Sequence, residues 1–393
     1  MNSTSIRLPR TVIVLGCVSL LNDAASEMIT PLLPIFLTAT LGAGPAIVGL
    51  VEGLAELTAS ILKFAAGWLA DRGVSAKRLV VGGYGIANIA RPAIGFALGW
   101  PYVLLLRFLD RIGKGIRTAP REALIAGAAG PAIRGRAFGF HSAMDNAGAV
   151  IGPLVAFVLL GTGVPLGRVF LWSVVPGALV MVLLVVGVPR DAPVEKRVAP
   201  PKVAFRLLDP KLRALIVVSG VLALAAVPEV FVVLWARQSG LPLAWVPLVW
   251  AAASFGKMLV SYPAGQLSDR LGRLPLLIGG WGLRVVALAA LATVHASGVL
   301  VWALFVGYSA TLALTEPVER SLVGDVAPPQ QRGTAYGYYH LASGALVLPG
   351  AVLFGLLWER FGSSAAFGTA ALVTALAALG MAAVARGSAA GRA

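Results

Sequence analysis

Twelve stretches of predominantly apolar residues follow one another along the chain, separated by short polar segments. A helix needs about twenty such residues to cross the hydrocarbon core of a bilayer, so each stretch predicts one membrane-spanning helix. We number these predicted helices as segments, in chain order. The first six cover residues 11–37, 46–69, 79–99, 101–121, 136–160 and 167–188, and the second six cover residues 213–236, 243–266, 275–295, 298–318, 334–358 and 362–385.

An internal repeat relates the two sets of six. The stretch GWLADRG, which begins at Gly67, returns as GQLSDRLGR at Gly265, and RGRAFGF at Arg134 returns as RGTAYGY at Arg332. In both pairs the second copy follows the first by 198 residues, from 67 to 265 and from 134 to 332. Two matches at one offset indicate a duplicated half of the chain.

Residues 189–212 form a polar stretch with five prolines, which is typical of a linker. We therefore predict an all-α membrane protein made of two pseudo-symmetric six-helix bundles. The N-terminal bundle covers residues 1–188, the linker 189–212 and the C-terminal bundle 213–393.

The amino-acid composition indicates a membrane protein and changes how the net charge is interpreted. Hydrophobic residues make up 58% of the chain and charged residues 12%, and the mean hydropathy is +0.86. Soluble domains carry about twice that share of charged residues. The net charge of +15 comes from basic residues scattered between apolar segments, so it favours membrane orientation over nucleic-acid binding. The single cysteine, Cys17, excludes an internal disulfide bond.

Lysines and arginines collect in alternate loops. Only Arg168, Arg237 and Arg360 fall on the other side of the predicted topology. Positive residues mark the cytoplasmic side of membrane proteins. We therefore predict a multi-pass protein of the cell (inner or plasma) membrane whose N- and C-termini are both cytoplasmic. The first apolar stretch also contains acidic residues and is too long for a cleavable signal peptide.

Segments 1 and 2 carry carboxylates that an apolar helix would avoid. Asp23 and Glu27 lie four residues apart and share a helix face, with Asn22 at its edge, and Glu52 and Glu56 repeat this spacing. Four carboxylates at membrane depth cannot all be ionised cheaply unless they are paired. The pattern predicts proton exchange or cation binding, and the alternative is a satisfied buried network.

Segment 4 reads LLLRFLDRIGKGIRTAPRE and carries charge at helical spacing. Its Arg107, Asp110, Arg111 and Lys114 must face an interior or a wet cavity, because charge facing lipid costs several kcal/mol. Asp110 joins the candidates for proton or cation coupling. Asn22, Arg107, Arg111 and Lys114, together with Arg91 of segment 3, are candidates for lining a substrate cavity or for adjusting the charge state of the carboxylates.

The second half has fewer charged residues at membrane depth. Glu229, Lys257, Arg284 and Glu316 are its candidates for the cavity. Aromatic residues are more frequent there and could wall an apolar cavity, although packing and interfacial anchoring explain most of them. They are Trp235, Trp245, Trp250, Trp281, Trp302, Phe305, Tyr308, Tyr336, Tyr338 and Tyr339, with His340 as a polar neighbour.

With these motifs the chain resembles the major facilitator superfamily over nearly its whole length. The loop motif G-x-x-x-D-R-x-G-R of that family matches the second copy closely and the first more loosely. The resemblance implies two parallel six-helix repeats around a central cavity. We expect a gating latch in which Asp71 faces Arg332 and Asp269 faces Arg134, against the alternative of solvated turns. The gating residues would be Gly67, Asp71, Arg72, Arg134, Gly265, Asp269, Arg270 and Arg332.

Segment 5 contains GAVIGPLVA, which resembles the antiporter motif of the same superfamily through Gly148, Gly152 and Pro153. The final glycine of the motif is replaced by Ala156. Glycines four residues apart allow close helix approach, which is also the alternative explanation. The motif marks exporters more often than importers, and Pro31 and Pro34 in segment 1 resemble the P-x-x-P ending of drug and proton antiporters. The resemblance therefore implies export.

The function that these patterns favour is secondary active transport: proton-coupled efflux, by antiport, of a small solute such as a drug or a metal ion. The partners would be the solute, protons and the bilayer, and the protein would act as a monomer without a cofactor. One alternative is an importer or exchanger of an anionic metabolite, and a second is a non-transporting membrane receptor or scaffold. GLGRLP and GKGIRT lack the spacing of a nucleotide-binding P-loop, and no catalytic triad or metal cluster is evident, so we expect neither an enzyme nor a resident metal site.

Overall fold

The computed structural model of the protein describes residues 8–71, 75–128, 134–188, 210–326 and 332–390. These residues are almost entirely helical and include no strand, which confirms the predicted all-α fold. The helices of segments 1 to 6 are α1 (Arg10–Glu27), α2 (Leu33–Ile35), α3 (Pro45–Asp71), α4 (Ala76–Ala93), α5 (Trp100–Ala128), α6 (Arg134–Gly161), α7 (Leu166–Trp172) and α8 (Val174–Gly187). A π-helical turn over Phe36–Thr40 follows α2, and a 3-10 turn over Ile94–Phe96 follows α4.

The described helices of the second half begin at Pro210. They are α9 (Pro210–Leu224), α10 (Glu229–Gln238), α11 (Val246–Leu271), α12 (Arg273–Thr293), α13 (Val299–Val326) and α14 (Arg332–Ala390), with a 3-10 turn over Leu243–Trp245 before α11. Segments 11 and 12 run together in α14 and are separated by Gly362, whose φ of 86° lies in the left-handed region. Glycine adopts this conformation without steric cost, so it joins the two segments where the sequence predicts their boundary.

Three predicted segments are each split into two helices, which the sequence analysis did not anticipate. Segment 1 breaks after Glu27, segment 6 after Trp172 and segment 7 after Leu224. In each case a proline follows four residues later, at positions 31, 176 and 228. Proline has no N–H to donate to the carbonyl four residues before it, so the regular helix ends there.

The chain divides into two compact units. The first contains Met1–Phe36 and Thr58–Pro200, and the second contains Leu37–Leu57 and Pro201–Ala393. The first half of α3 therefore groups with the second unit, whereas the sequence-based boundary assigns all of segment 2 to the first bundle. Close packing explains the grouping, because a Cβ atom on Gly53 would meet Leu348 Cα of α14 at 2.8 Å.

Not every segment is apolar enough to be recognised as a membrane span by composition. Among the described residues, eight helices or successive helices have the length and hydropathy to cross a bilayer, and the last of these, Leu341–Ala382, combines segments 11 and 12. Segments 1, 3 and 4 fall outside this set because α1, α4 and α5 carry several charged residues each. All three belong to the first unit, and their polar side chains form the site described below.

Helices α4 and α5 approach each other closely at two glycines. A Cβ atom on Gly83 would meet the carbonyl oxygen of Gly113 and, at 2.9 Å, the Cβ atom of Arg117. A Cβ atom on Gly113 would meet the backbone nitrogen of Ala87 at 3.0 Å. The absence of both side chains lets the two backbones touch, as small residues do in membrane helix pairs.

We predict that Gly83→Ala lowers the melting temperature of the purified protein, because the new methyl group must push α4 from α5. Overpacking of this kind costs about 1–3 kcal/mol. Gly82→Ala is the matched control, since a Cβ atom there would meet nothing within 4 Å. Alanine favours a helix over glycine by roughly 1 kcal/mol, so the control should melt no lower than the wild type. Equal melting temperatures for the two variants would contradict the close contact.

Candidate functional site

The carboxylate of Asp110, on α5, lies among three guanidinium groups. Arg91 of α4 donates from Nε to Asp110 Oδ1 at 2.8 Å, and Arg107 donates from Nη1 to Oδ2 at 3.4 Å. The Nε atom of Arg111 lies 3.6 Å from the same Oδ2. Asp110 is 1% exposed and Arg107 is 2% exposed. Asp110 therefore acts as the shared counterion of three arginines.

Arg91 extends this cluster to α1. Its Nη1 atom donates to Asn22 Oδ1 at 2.8 Å, to the carbonyl oxygen of Asn22 at 3.2 Å and to Asn88 Oδ1 at 3.4 Å. Asn22 in turn donates from Nδ2 to Asp23 Oδ1 at 2.8 Å. The buried Asn22 therefore connects the arginine cluster to the carboxylate of Asp23.

A second set of polar groups lies along the same helices around Tyr84 of α4. The guanidinium carbon of Arg117 lies 4.3 Å from the centre of the Tyr84 ring. Arg121 donates from Nη1 to the Tyr84 hydroxyl at 3.2 Å and to Ser19 Oγ at 3.1 Å. Ser19 is fully buried and donates a hydrogen bond to Asp145 of α6. These contacts join α1, α4, α5 and α6.

Asp145 brings a second carboxylate to the surroundings of Asp23. Its Oδ2 atom lies 3.5 Å from Nδ1 of the buried His141, one helical turn earlier on α6. Asp145 lies within electrostatic range of Asp23, and so do Arg117 and Arg121. Asp23 and Asp145 are both partly exposed, unlike Asp110. The carboxylates of Asp23 and Asp145, on neighbouring helices, thus lie within electrostatic range of the same two arginines.

The glycines of segment 5 make this arrangement possible. A Cβ atom on Gly148 would meet the carbonyl oxygen of Leu20 and, at 2.9 Å, the Cβ atom of Asp23. A Cβ atom on Gly152, one turn further along α6, would meet Ala24 Cα at 3.0 Å. Residues Gly148 and Gly152 therefore let α6 lie directly against the part of α1 that carries Asp23, and Pro153 follows inside the continuous helix.

The other carboxylates predicted for segments 1 and 2 have different surroundings. Glu27, Glu52 and Glu56 are all partly exposed. Glu27 is the last residue of α1, whereas Glu52 and Glu56 lie in the portion of α3 that belongs to the second unit. Lys114, on α5 of the first unit, is also partly exposed.

The second unit holds smaller polar groups. Lys257 donates from Nζ to Glu229 Oε2 at 2.8 Å, and Arg284 donates to Thr315 Oγ1. Glu316 is exposed. The candidates Glu229 and Lys257 therefore form an ion pair, while Arg284 contacts a hydroxyl group of α13.

Glu319 of α13 receives two hydrogen bonds from aromatic residues. Trp281 donates from Nε1 at 3.1 Å, and the Tyr339 hydroxyl donates at 3.0 Å. Two of the predicted cavity aromatics, Trp281 and Tyr308, are completely or almost completely buried. Most of the surface of these two side chains therefore packs against protein. A tight aromatic group that the sequence analysis did not single out also packs in this unit, formed by Phe231, Phe354, Trp358 and Phe367.

The predicted gating residues fall outside the part of the chain that can be described. Arg72 lies outside the described residues, and the other seven belong to described helices but their surroundings are not described. They are Gly67, Asp71, Arg134, Gly265, Asp269, Arg270 and Arg332. The same holds for the side chains of Tyr336, Tyr338 and His340. The latch between Asp71 and Arg332 and between Asp269 and Arg134 stays a prediction.

Sequence reasoning missed several members of the first-unit network: Ser19, Tyr84, Asn88, Arg121, His141 and Asp145. His141 and Asp145 are spaced four residues apart, the same spacing that pointed to Asp23 and Glu27, so this signal was present. Arg121 is the last residue of predicted segment 4, whereas α5 continues to Ala128. Within the described residues, no group of three or more His, Cys, Asp or Glu side chains is arranged to hold a metal ion.

The chain is similar to several known proteins, and these similarities identify its family. An uncharacterised MFS-type transporter of Methanocaldococcus jannaschii is 29% identical over 365 residues, which cover 91% of each chain. An uncharacterised protein of Mycobacterium tuberculosis is 31% identical over 372 residues, covering 89% of this chain and 87% of the relative. The multidrug resistance protein MdtH of Aeromonas hydrophila is 26% identical over 335 residues, covering 80% of this chain and 79% of the relative.

Solved structures share the fold at low sequence identity. The nucleoside transporter NupG superposes with a TM-score of 0.80 at 14% identity, covering 95% of this chain and 98% of that one. A bacterial homologue of the human lysosomal transporter Spinster, in an inward-facing and occupied conformation, gives a TM-score of 0.76 at 17% identity, covering 95% and 96%. The family model of the Major Facilitator Superfamily matches residues 15–306 and 230–390, so the chain belongs to the Major Facilitator Superfamily of membrane transporters.

Proposed function

We propose that this transporter exports a small solute from the cell in exchange for protons, and that Asp23 and Asp145 carry the protons. The observation that supports this proposal most directly is the packing of α6 on α1 at Gly148, which sets Asp145 within electrostatic range of Asp23. Two carboxylates that lie near each other on packed helices repel each other when both are ionised, so the pair is suited to binding and releasing a proton. Release of that proton would then be coupled to the binding of the solute.

Asp23 and Asp145 suit this role better than Asp110 does. Asp110 contacts three guanidinium groups and is 1% exposed, so it is fixed as their counterion. Asp23 and Asp145 are partly exposed, and their nearest polar partners are an amide, a hydroxyl and a histidine. Arg117 and Arg121 lie within electrostatic range of both carboxylates but form no salt bridge with either among the described residues. A proton carrier must exchange with solvent, which partial exposure permits. Glu27, Glu52 and Glu56, also partly exposed, are further candidates for proton or cation binding.

The direction of transport is inferred from two similarities. Gly148, Gly152 and Pro153 resemble the antiporter motif, and a relative of the chain is named as a multidrug resistance protein. Both favour export of a drug-like solute. We further propose that the protein lies in the cell membrane as a monomer with both termini in the cytoplasm, because its basic residues collect in alternate loops.

Exchange of an anionic metabolite is a second candidate. The first-unit network contains five arginines, at positions 91, 107, 111, 117 and 121, and three aspartates, at positions 23, 110 and 145. Such an excess of positive charge favours a negatively charged solute over a cationic drug or a metal ion. The two candidates share the proton-carrying pair and differ in the charge of the solute.

We predict that cells lacking the protein become more sensitive to at least one toxic compound in a screen of cationic drugs, anionic drugs and divalent metals. Cells that overproduce it should become more resistant to the same compound, because export lowers its internal concentration. Cells that produce Asp23→Asn should resemble cells lacking the protein. An unchanged sensitivity profile for every compound would argue against an exporter of toxic solutes.

We predict that the compound identified in this way drives proton release from acidified inside-out vesicles, because the exporter carries solute inward and protons outward in that orientation. Asp23→Asn should lose this flux, and Asp145→Asn should reduce it by at least tenfold. Glu359→Gln, at an exposed carboxylate of the second unit, is the matched control and should retain it. Normal flux through Asp23→Asn would remove Asp23 from the coupling mechanism.

We predict that Asp110→Asn destabilises the protein, whereas Asp23→Asn does not. Removing one partner of a buried ion pair costs about 3–5 kcal/mol, and here three arginines would lose their counterion. Melting temperature and the yield of folded protein in detergent measure the effect. If Asp110→Asn melts like the wild type and loses proton flux, then Asp110 carries the proton and is not a fixed counterion.

A further inference from the structure

Several buried nitrogen atoms of the first-unit network have no hydrogen-bond partner among the described residues, and three of these atoms belong to the part of the network around Tyr84. They are Asn88 Nδ2, Arg117 Nη1 and Arg121 Nε. Asn88 is 7% exposed and Arg117 is 4% exposed. Buried polar atoms are nearly always hydrogen-bonded, and leaving one unpaired costs about as much as losing a bond. All three atoms are donors, so they lack an acceptor.

The unpaired donors lie between two completed contacts of α4 with α5. At one end Arg91 of α4 binds Asp110 of α5, and at the other Arg121 of α5 binds the Tyr84 hydroxyl of α4. Residue numbers rise along one helix as they fall along the other, so the helices are antiparallel. Asn88 lies one turn from Tyr84 on α4, and Arg117 lies one turn from Arg121 on α5. Arg117 and Arg121 therefore leave donors without an acceptor beside Tyr84, and Asn88, which also packs against Gly177 of α8, adds a third donor one turn away.

Tyr84 holds the two arginines without neutralising them. Its ring lies 4.3 Å from the guanidinium carbon of Arg117, and its hydroxyl accepts a hydrogen bond from Nη1 of Arg121. The Nη1 atom of Arg117 and the Nε atom of Arg121 therefore remain able to donate hydrogen bonds. Arg117 also lies within electrostatic range of Arg91 and Arg121. Asp110 and Asp23 also lie within electrostatic range of Arg117, but neither forms a salt bridge with it among the described residues, so the like charges are incompletely compensated.

We propose that this part of the α4–α5 interface binds an oxyanion, a carboxylate or phosphate group of the transported solute, through Arg117 and Arg121 with Asn88 as a neutral donor. The planar guanidinium group presents paired donors that match the oxygens of either group. An anion would supply the missing acceptor and reduce the excess of arginines over aspartates in the network. The assignment to the solute rests on the proposed transport function, while the site itself does not.

The site differs from the anion ligands that the sequence suggests. Arg91 and Arg107 are already bound to Asp110, and Arg284 of the second unit donates to Thr315. Arg117 has no carboxylate within salt-bridge distance among the described residues. The unpaired donor of Arg117 thus identifies it as the principal ligand.

Binding is measured on the purified full-length protein in nanodiscs of phosphatidylcholine, which has no net charge and keeps anionic lipid headgroups from filling the site. Sodium phosphate and sodium acetate are titrated separately at constant ionic strength against sodium chloride. The preferred oxyanion at ten times its Kd should raise the melting temperature by about 2 °C. The probe with the lower Kd identifies the group as phosphate or carboxylate. No shift with either probe would overturn the proposal.

Variants distinguish this site from general electrostatic attraction. Arg117→Gln should weaken binding at least tenfold, and Arg117→Lys should weaken it less, because charge remains but the paired donors are lost. Arg168→Gln removes an exposed arginine of the same unit and should bind like the wild type. Equal affinity of Arg117→Gln and the wild type would overturn the proposal.

Asn88→Asp tests the site even if Arg117→Gln fails to fold. It places a carboxylate beside the unpaired donors, so it should raise the melting temperature without added oxyanion and abolish the shift caused by phosphate or acetate. A variant that melts lower than the wild type and still responds to the oxyanion would count against the site. Asp23→Asn should retain oxyanion binding and lose proton flux, so normal proton flux through this variant with binding intact would refute the coupling mechanism alone.

Discussion

The pairing of one buried carboxylate with three guanidinium groups is the constraint on which the first unit depends. Asp110 permits Arg91, Arg107 and Arg111 to remain inside a membrane protein, where each would otherwise cost several kcal/mol. Arg91 then reaches across to Asn22, and the polar chain continues to Asp23. These hydrogen bonds join the three helices α1, α4 and α5. An apolar residue at any one of these positions would leave a buried charge unpaired.

Small residues determine how closely these polar groups approach. The backbones of α4 and α5 touch at Gly83 and Gly113, and α6 touches α1 at Gly148. Helix axes separated by ordinary side chains would hold short polar groups such as Ser19 and Asp145 too far apart to bond. Glycine packing and the polar network are therefore parts of one arrangement, in which the first sets the distances that the second requires.

The sequence predicted the fold well because twelve apolar stretches and a repeat at one offset leave few alternatives. It located Asp23, Arg91 and Asp110 because charge in an apolar helix is conspicuous. It could not show that the carboxylate of Asp110 is paired with three arginines. Arg91 is 19 residues away from Asp110, and only the packing of α4 on α5 brings these two residues together. Proline alone did not reveal the breaks, because Pro120 and Pro153 lie inside helices that continue for two turns beyond them.

The interruption between α9 and α10 has a mechanical consequence. Pro228 has no N–H for the carbonyl of Leu224, and Phe231 donates to the carbonyl of Pro228 and not to that of Val227, which instead accepts from the hydroxyl of the buried Tyr308 at 2.6 Å. Bending an intact helix requires main-chain bonds to be broken, whereas here they are already absent and a side chain of another helix fills the gap. Bending between α9 and α10 would therefore break fewer main-chain hydrogen bonds than bending within either helix, and Tyr308 holds the chain at this position.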